Sequence, residues 1–151
     1  MELPNQRIAA SFDEIADLLE LAGDNQFKIR AYRRAAEAVG SLDEPVAELL
    51  RRDQSAIPGI GEALRSKIWE MESRGSMEYL ERLRAEIPAA IVVLTQVPGI
   101  GPRTAWRLHE SLGIEDVASL LAAARAGRIR EMPGFGAKTE ANIIKAIQSM
   151  Q

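Results

Sequence analysis

Val97-Pro98-Gly99-Ile100-Gly101 is the most informative segment of this chain, because the same five-residue pattern occurs three times. Each copy has an apolar residue, Pro, Gly, a second apolar residue and Gly. The other two copies are Ile57-Pro58-Gly59-Ile60-Gly61 and Met132-Pro133-Gly134-Phe135-Gly136. Seven residues after the second Gly of each copy the chain again has an apolar residue, at Ile68, Leu108 and Ile143. The chain therefore contains an internal repeat.

Each copy has the composition of a tight hairpin between two helices. Pro interrupts the preceding helix, and the two Gly residues permit a positive φ and the close approach of another backbone. The helix that follows begins with free N–H groups at the positive end of its dipole, which is a phosphate-binding arrangement. A hairpin of this kind can also be only a packing turn between helices.

Basic residues favour phosphate binding by the second and third copies. Arg103 and Lys138 stand two positions after the second Gly, whereas the first copy has Ala63 there. We predict contacts with the DNA backbone, which fix the position of a protein on a duplex and read no base sequence. The predicted contacts are Arg103, Arg107, Lys138 and the hairpin glycines Gly59, Gly61, Gly99, Gly101, Gly134 and Gly136.

The rest of the chain is typical of an all-α protein. Ile8, Phe12 and Ile15 recur at helical spacing, and no segment alternates apolar and polar residues as a strand does. Pro88 marks the expected boundary between two small helical domains. We predict one domain over residues 1–87, with the first copy, and one over residues 88–151, with the other two.

Composition excludes several classes of protein. The chain has no Cys, so it has neither disulfides nor a zinc-thiolate site, and its single His excludes a multi-histidine metal centre. No apolar run approaches the roughly 20 residues of a membrane span, so we expect a soluble protein. The net charge is -3, but residues 89–151 have 7 basic and 5 acidic side chains, a balance of +2. This second half therefore suits an anionic partner better.

The repeats resemble the helix-hairpin-helix motif of DNA repair proteins. The segment from Asn25 to Ala36, together with Ile57 to Ile68, resembles the amino-terminal domain of family X DNA polymerases. Val97 to Leu108 resembles the hairpin of the next polymerase subdomain, and Met132 to Ile143 is similar to bacterial members. The resemblance implies a DNA-binding module for gapped or nicked DNA in base excision repair, in the cytoplasm and associated with the nucleoid. It ends before the palm domain, so the expected partners are DNA, a palm domain or another repair protein.

The resemblance also implies sites on particular residues. In the first domain, Lys28 matches a ligand of the downstream 5′-phosphate, Tyr32 matches an aromatic residue of the same pocket, and Arg33 adds positive potential. No organic cofactor is expected. Hairpin carbonyls in the family hold a monovalent cation, sodium or potassium, and here they belong to Ser55, Ile57 and Ile60 in the first copy and to Thr95, Val97 and Ile100 in the second.

Some family members remove a 5′-deoxyribose phosphate through a Schiff base, and Lys67 stands at the position of their nucleophilic lysine. Two other family lysines of that pocket are replaced here, by Ala63 and Tyr79, and Phe27 replaces a His. These losses weaken both phosphate binding and the activation of an amine. A lyase acting through Lys67 is therefore an alternative to a purely DNA-binding module, and a protein-interaction module that has lost DNA binding is a second alternative.

Overall fold

A computed structural model describes residues 3–151, and within this range the chain forms nine α-helices and no strand, which confirms the predicted all-α fold. The chain divides into two compact units, the first ending at Glu86 and the second running from Ile87 to Gln151. The two domains predicted over residues 1–87 and 88–151 stay a prediction. The helices are α1 (Asn5–Leu21), α2 (Gln26–Gly40), α3 (Val46–Arg52), α4 (Glu62–Arg74), α5 (Glu78–Glu86), α6 (Ala89–Thr95), α7 (Pro102–Leu112), α8 (Val117–Arg125) and α9 (Ala137–Ser149).

The first unit is built around α1 and α2, which pack along each other. The apolar stripe of α1 supplies the core, with Phe12 and Ile15 fully buried. The Asn25 side chain accepts a hydrogen bond from the Phe27 N–H (2.7 Å) and so caps the start of α2. A bidentate ion pair of Arg84 with Glu14 (2.5 and 2.6 Å) ties α5 to α1. The cap fixes the start of α2, and the ion pair fixes the position of α5 against α1.

The second unit consists of two helix pairs, α6 with α7 and α8 with α9. The second copy of the repeat joins the first pair, and the third copy lies between α8 and α9. Asp116 starts α8 with a capping box, because its carboxylate accepts from the Ser119 N–H and the Ser119 hydroxyl accepts from the Asp116 N–H. Ile91, Leu94 and Leu120 are fully buried between the helices.

The three hairpins share one backbone geometry. The first Gly of each copy is left-handed, with φ of +87° at Gly59, +89° at Gly99 and +83° at Gly134. In each copy the N–H of the fourth residue donates to the carbonyl of the first, at 3.0 to 3.2 Å. The sequence permits a positive φ at the second Gly as well, but this Gly is the extended residue before α4, α7 or α9, with a negative φ. That conformation is open to any residue, so the backbone does not explain the second Gly.

Candidate nucleic-acid interface

The helices that follow the hairpins begin without a side-chain cap. Gly61, Gly101 and Gly136 are the N-cap residues of α4, α7 and α9, and without a side chain they accept no hydrogen bond from the first turn of these helices. Among the described helices, α1, α3 and α6 also lack a side-chain cap, and each of them begins after a Pro. Asn25 and Asp116 provide such a cap for α2 and α8. A Cβ at any of the three second glycines would meet no atom of the described chain within 4 Å. The hairpins therefore leave free N–H groups beneath open space, where another molecule can approach.

Two predicted basic residues stand beside these helix starts in the second unit. The side chains of Arg103, on α7, and Lys138, on α9, are exposed. Within residues 3–151 neither side chain forms an ion pair or a hydrogen bond with another group of the protein. Both are placed as predicted for phosphate contacts, and those contacts themselves stay a prediction.

Arg107 was also predicted to contact DNA, but the structure gives it partners within the protein. Its guanidinium lies over the Phe135 ring, with the guanidinium carbon 4.6 Å from the ring centroid, and donates to the Pro133 carbonyl. Arg107 belongs to α7 of the second hairpin, whereas Pro133 and Phe135 belong to the third. The side chain therefore connects the two hairpins of the second unit.

A cavity of about 270 Å³ lies between the second and third hairpins. Gly99 and Gly134, the left-handed glycines of these two hairpins, both line it, with Thr104, Thr139 and Asn142 as polar residues. The two hairpin turns therefore border one shared groove on the second unit.

The first hairpin has an arginine that the sequence analysis did not single out. Arg65 stands four residues after Gly61, and its Nη1 donates to the carbonyls of Gln54 and Ile60, both at 3.3 Å. A side chain on a helix leans toward the helix N-terminus, which explains why a residue one turn inside α4 reaches back over the hairpin. The sequence alone does not indicate that the Arg65 side chain donates hydrogen bonds to the hairpin carbonyls.

A cationic cluster lies in the first unit around the ring of Tyr79; it consists of Lys28, Lys67 and Arg82. Their charged groups lie 5.7, 5.3 and 5.2 Å from the ring centroid. Interaction with the Tyr79 hydroxyl raises the pKa of Lys28. The structure thus brings together two lysines predicted from the resemblance, and it adds Arg82, which the sequence analysis missed. The available signal was the spacing of Arg82 from Tyr79, three residues along α5, which places both on one face.

Tyr32 packs against Tyr79, the ring around which the cationic cluster lies. Its buried ring stacks on Tyr79, with a centroid distance of 6.1 Å, and also contacts the Phe12 ring, with a centroid distance of 6.0 Å. Burial, with a smaller contribution from Tyr79, raises the pKa of Tyr32 to about 12. Tyr32 is therefore a neutral packing residue at neutral pH, and it fixes the position of the Tyr79 ring.

Arg33 forms ion pairs with α1 and has no recorded contact with the cationic cluster within the described residues. Its guanidinium pairs with three carboxylates of that helix, Asp17 at 2.7 Å, Glu20 at 3.3 Å and Asp13 at 3.6 Å. A phosphate would have to compete with all three, so the structure gives Arg33 a role in joining α1 to α2. Its predicted contact with DNA stays a prediction.

Within residues 3–151 no cluster of three or more His, Asp or Glu side chains is arranged to hold a metal ion. In the same range no helix is long and apolar enough to cross a membrane.

Comparison with known proteins identifies both halves of the chain. The helix-hairpin-helix domain family matches residues 3–77, and the SAM-like helix-hairpin-helix tandem family matches residues 91–149. DNA polymerase/3'-5' exonuclease PolX of Bacillus subtilis is 36% identical over 135 residues, which are 89% of this chain and 23% of that protein.

Two further relatives match shorter parts of the chain. DNA polymerase lambda of Rattus norvegicus is 24% identical over 77% of the chain and 20% of that polymerase. The Holliday junction branch migration complex subunit RuvA of Polaromonas sp. is 32% identical over 58% of the chain and 46% of that subunit. The chain spans less than half the length of each of these three relatives.

Proposed function

This chain is a helix-hairpin-helix protein similar over most of its length to the amino-terminal region of a family X DNA polymerase, and we propose that it is a DNA-binding module of repair. In this proposal it binds the sugar-phosphate backbone of gapped or nicked duplexes without reading base sequence. The names of its relatives, two DNA polymerases and a Holliday junction subunit, support DNA as the partner.

The observation that carries the proposal is the set of uncapped helix starts at Gly61, Gly101 and Gly136. Free N–H groups at the positive end of a helix dipole bind phosphate. A side chain at the second Gly would occupy the open space through which a phosphate approaches. Because the extended backbone there does not require glycine, access for a ligand explains the residue better than folding does.

In the second unit the two hairpins, Arg103 and Lys138 would hold a few adjacent phosphates along the shared groove. Contacts of this type release counterions, so the affinity falls as salt rises. If about two to four phosphates are neutralised, the slope of log K against log[salt] is roughly -2 to -4.

In the first unit the cationic cluster would hold the 5′-phosphate at the downstream edge of a gap. Lys28, Lys67 and Arg82 converge on one ring, and a terminal phosphate carries more negative charge than a phosphate within the chain. Arg82 partly makes up for the positive charge absent at Ala63. We therefore expect the first unit to recognise the end of a strand and the second to recognise continuous backbone.

Fluorescence anisotropy with a one-nucleotide gapped duplex tests the proposal. The gap is prepared with and without its 5′-phosphate, and each form is titrated with the full chain at two salt concentrations. We expect tighter binding with the phosphate, and loss of this preference in the double variant Lys28→Ala/Arg82→Ala. Arg7→Ala, an exposed arginine of α1, is the matched control and should keep the preference. Equal, salt-sensitive binding would leave only the hairpin contacts, and no binding at low salt would favour a protein-interaction module.

A further inference from the structure

The hairpin carbonyls of the first and second copies differ in their ability to coordinate a monovalent cation. A cation would be held by the carbonyls of Ser55, Ile57 and Ile60 in the first copy, and by those of Thr95, Val97 and Ile100 in the second. A sodium or potassium ion there would supply positive charge between the hairpin and a phosphate. The side chain one turn inside the following helix decides whether each set of oxygens can accept it.

In the first hairpin that side chain is a cation already. Nη1 of Arg65 donates to the Ile60 carbonyl at 3.3 Å and to the carbonyl of Gln54, the neighbour of Ser55, also at 3.3 Å. A guanidinium keeps its charge at any ordinary pH. The Ile60 carbonyl oxygen therefore already accepts a hydrogen bond from a positively charged group. A sodium or potassium ion placed among the three carbonyl oxygens would be repelled by the Arg65 guanidinium.

In the second hairpin the equivalent residue is Ala105, which is fully buried and has no donor. Within residues 3–151 no side chain donates a hydrogen bond to the carbonyls of Thr95, Val97 or Ile100. The second hairpin therefore fits a monovalent cation, whereas the first does not.

We infer that the Arg65 guanidinium takes the place of the monovalent cation in the first hairpin, so that potassium supports DNA binding through the second hairpin alone. Within the described residues the other N–H groups of Arg65 donate to no further acceptor, and they remain for a phosphate. The contact between Arg65 and a phosphate rests on the proposed function. The exclusion of a cation from the first hairpin rests on the two hydrogen bonds of Arg65.

A cation exchange at constant ionic strength tests the inference. The Kd of the full chain for the gapped duplex is measured in potassium chloride and in choline chloride, whose cation is too large for the carbonyls. We expect Arg65→Ala and Arg65→Met to weaken binding roughly fivefold in choline and to recover most of this loss in potassium. The ratio of the two Kd values should therefore be larger than in the wild type. A loss of equal size in both salts would overturn the inference and make Arg65 a simple phosphate contact.

Anomalous scattering from thallium(I), used in place of potassium in crystals of the full chain, tests the displaced cation without requiring DNA. We expect no thallium at the Ile60 carbonyl of the wild type and a site there in Arg65→Ala. Thallium at Ile60 in the wild type, or none in the variant, would overturn the inference. Failure to bind DNA would instead contradict the proposed function. Thermal unfolding of Arg65→Ala, expected near the wild-type midpoint, checks that the variant is folded.

Discussion

The guanidinium of Arg107 lies 4.6 Å from the centroid of the Phe135 ring, and this contact joins the helix of the second hairpin to the turn of the third. Ile60 and Ile100, the residues equivalent to Phe135, are buried. Phe135 is only partly buried, and Arg107 covers it. The relative placement of the two hairpins in the second unit therefore depends on a charged side chain.

Replacing Arg107 shows whether this residue joins the two hairpins or contacts a phosphate directly. We expect Arg107→Met to lower the stability of the second unit by about 1 kcal/mol, from loss of the cation–π contact and the hydrogen bond to Pro133. The variant should weaken DNA binding while leaving the slope of log K against log[salt] unchanged. Chemical denaturation and anisotropy at several salt concentrations measure the two effects. A slope that becomes shallower by about one would show that Arg107 contacts a phosphate directly.

The double variant Arg103→Glu/Lys138→Glu tests the hairpin contacts of the second unit. Each change replaces an attractive charge beside a helix start with a repulsive one. We expect the affinity for duplex DNA to fall at least tenfold at low salt, and the salt slope to become shallower by about two. Arg125→Glu/Lys145→Glu makes the same change of charge away from the helix starts and serves as the control. Equal losses in both double variants would mean that only net charge matters.

Glu140 makes the third hairpin sensitive to acid. Its buried carboxylate accepts from the Arg130 backbone N–H at 3.0 Å and from Nε of the same residue at 2.9 Å. These hydrogen bonds with Arg130 hold the pKa of Glu140 below its ordinary 4.5. A depressed pKa stabilises the fold above the pKa of the unfolded chain, and this stabilisation is lost as the pH falls through the lower, folded value.

We therefore expect Glu140→Gln to lower the thermal midpoint by several degrees at neutral pH and by progressively less below pH 4.5. Thermal unfolding followed by circular dichroism between neutral pH and acid measures this change. Glu110→Gln, at an exposed position of α7, is the control and should show no such dependence. A midpoint difference that stays constant with pH would mean that the carboxylate charge is not what holds Arg130.

Lys67 offers a test of the lyase alternative. Its Nζ lies over the face of Tyr79, 5.3 Å from the ring centroid, and Schiff-base formation requires this amine to leave the ring and attack a sugar aldehyde. We expect little or no covalent adduct when the chain is treated with borohydride on an incised abasic duplex. An adduct that disappears in Lys67→Ala would contradict this expectation and assign a lyase to the residue. An adduct that survives the substitution would place the reactive amine elsewhere.

The repeat made the architecture predictable, because Pro and Gly at fixed positions determine where helices end and begin. The partners of the charged side chains were not predictable in the same way. Arg33 and Arg107 were predicted to contact DNA, and the structure adds partners that the sequence does not indicate. These are three carboxylates of α1 for Arg33 and the Phe135 ring for Arg107. Arg65 and Arg82 went unnoticed for the same reason. Spacing along a helix gives the face on which a side chain lies, but not which group of another element it meets.

At the left-handed glycines of the hairpins, the backbone conformation and not the available space determines which residues are tolerated. A Cβ at Gly59 or Gly99 would meet no atom within 4 Å, yet φ lies near +90° at both. Alanine would fit the available volume and still be strained, by roughly 1–2 kcal/mol, because L-residues disfavour this region. Asparagine tolerates it better. During divergence these positions can therefore pass from Gly to Asn more easily than to Ala, although Ala is the smaller residue.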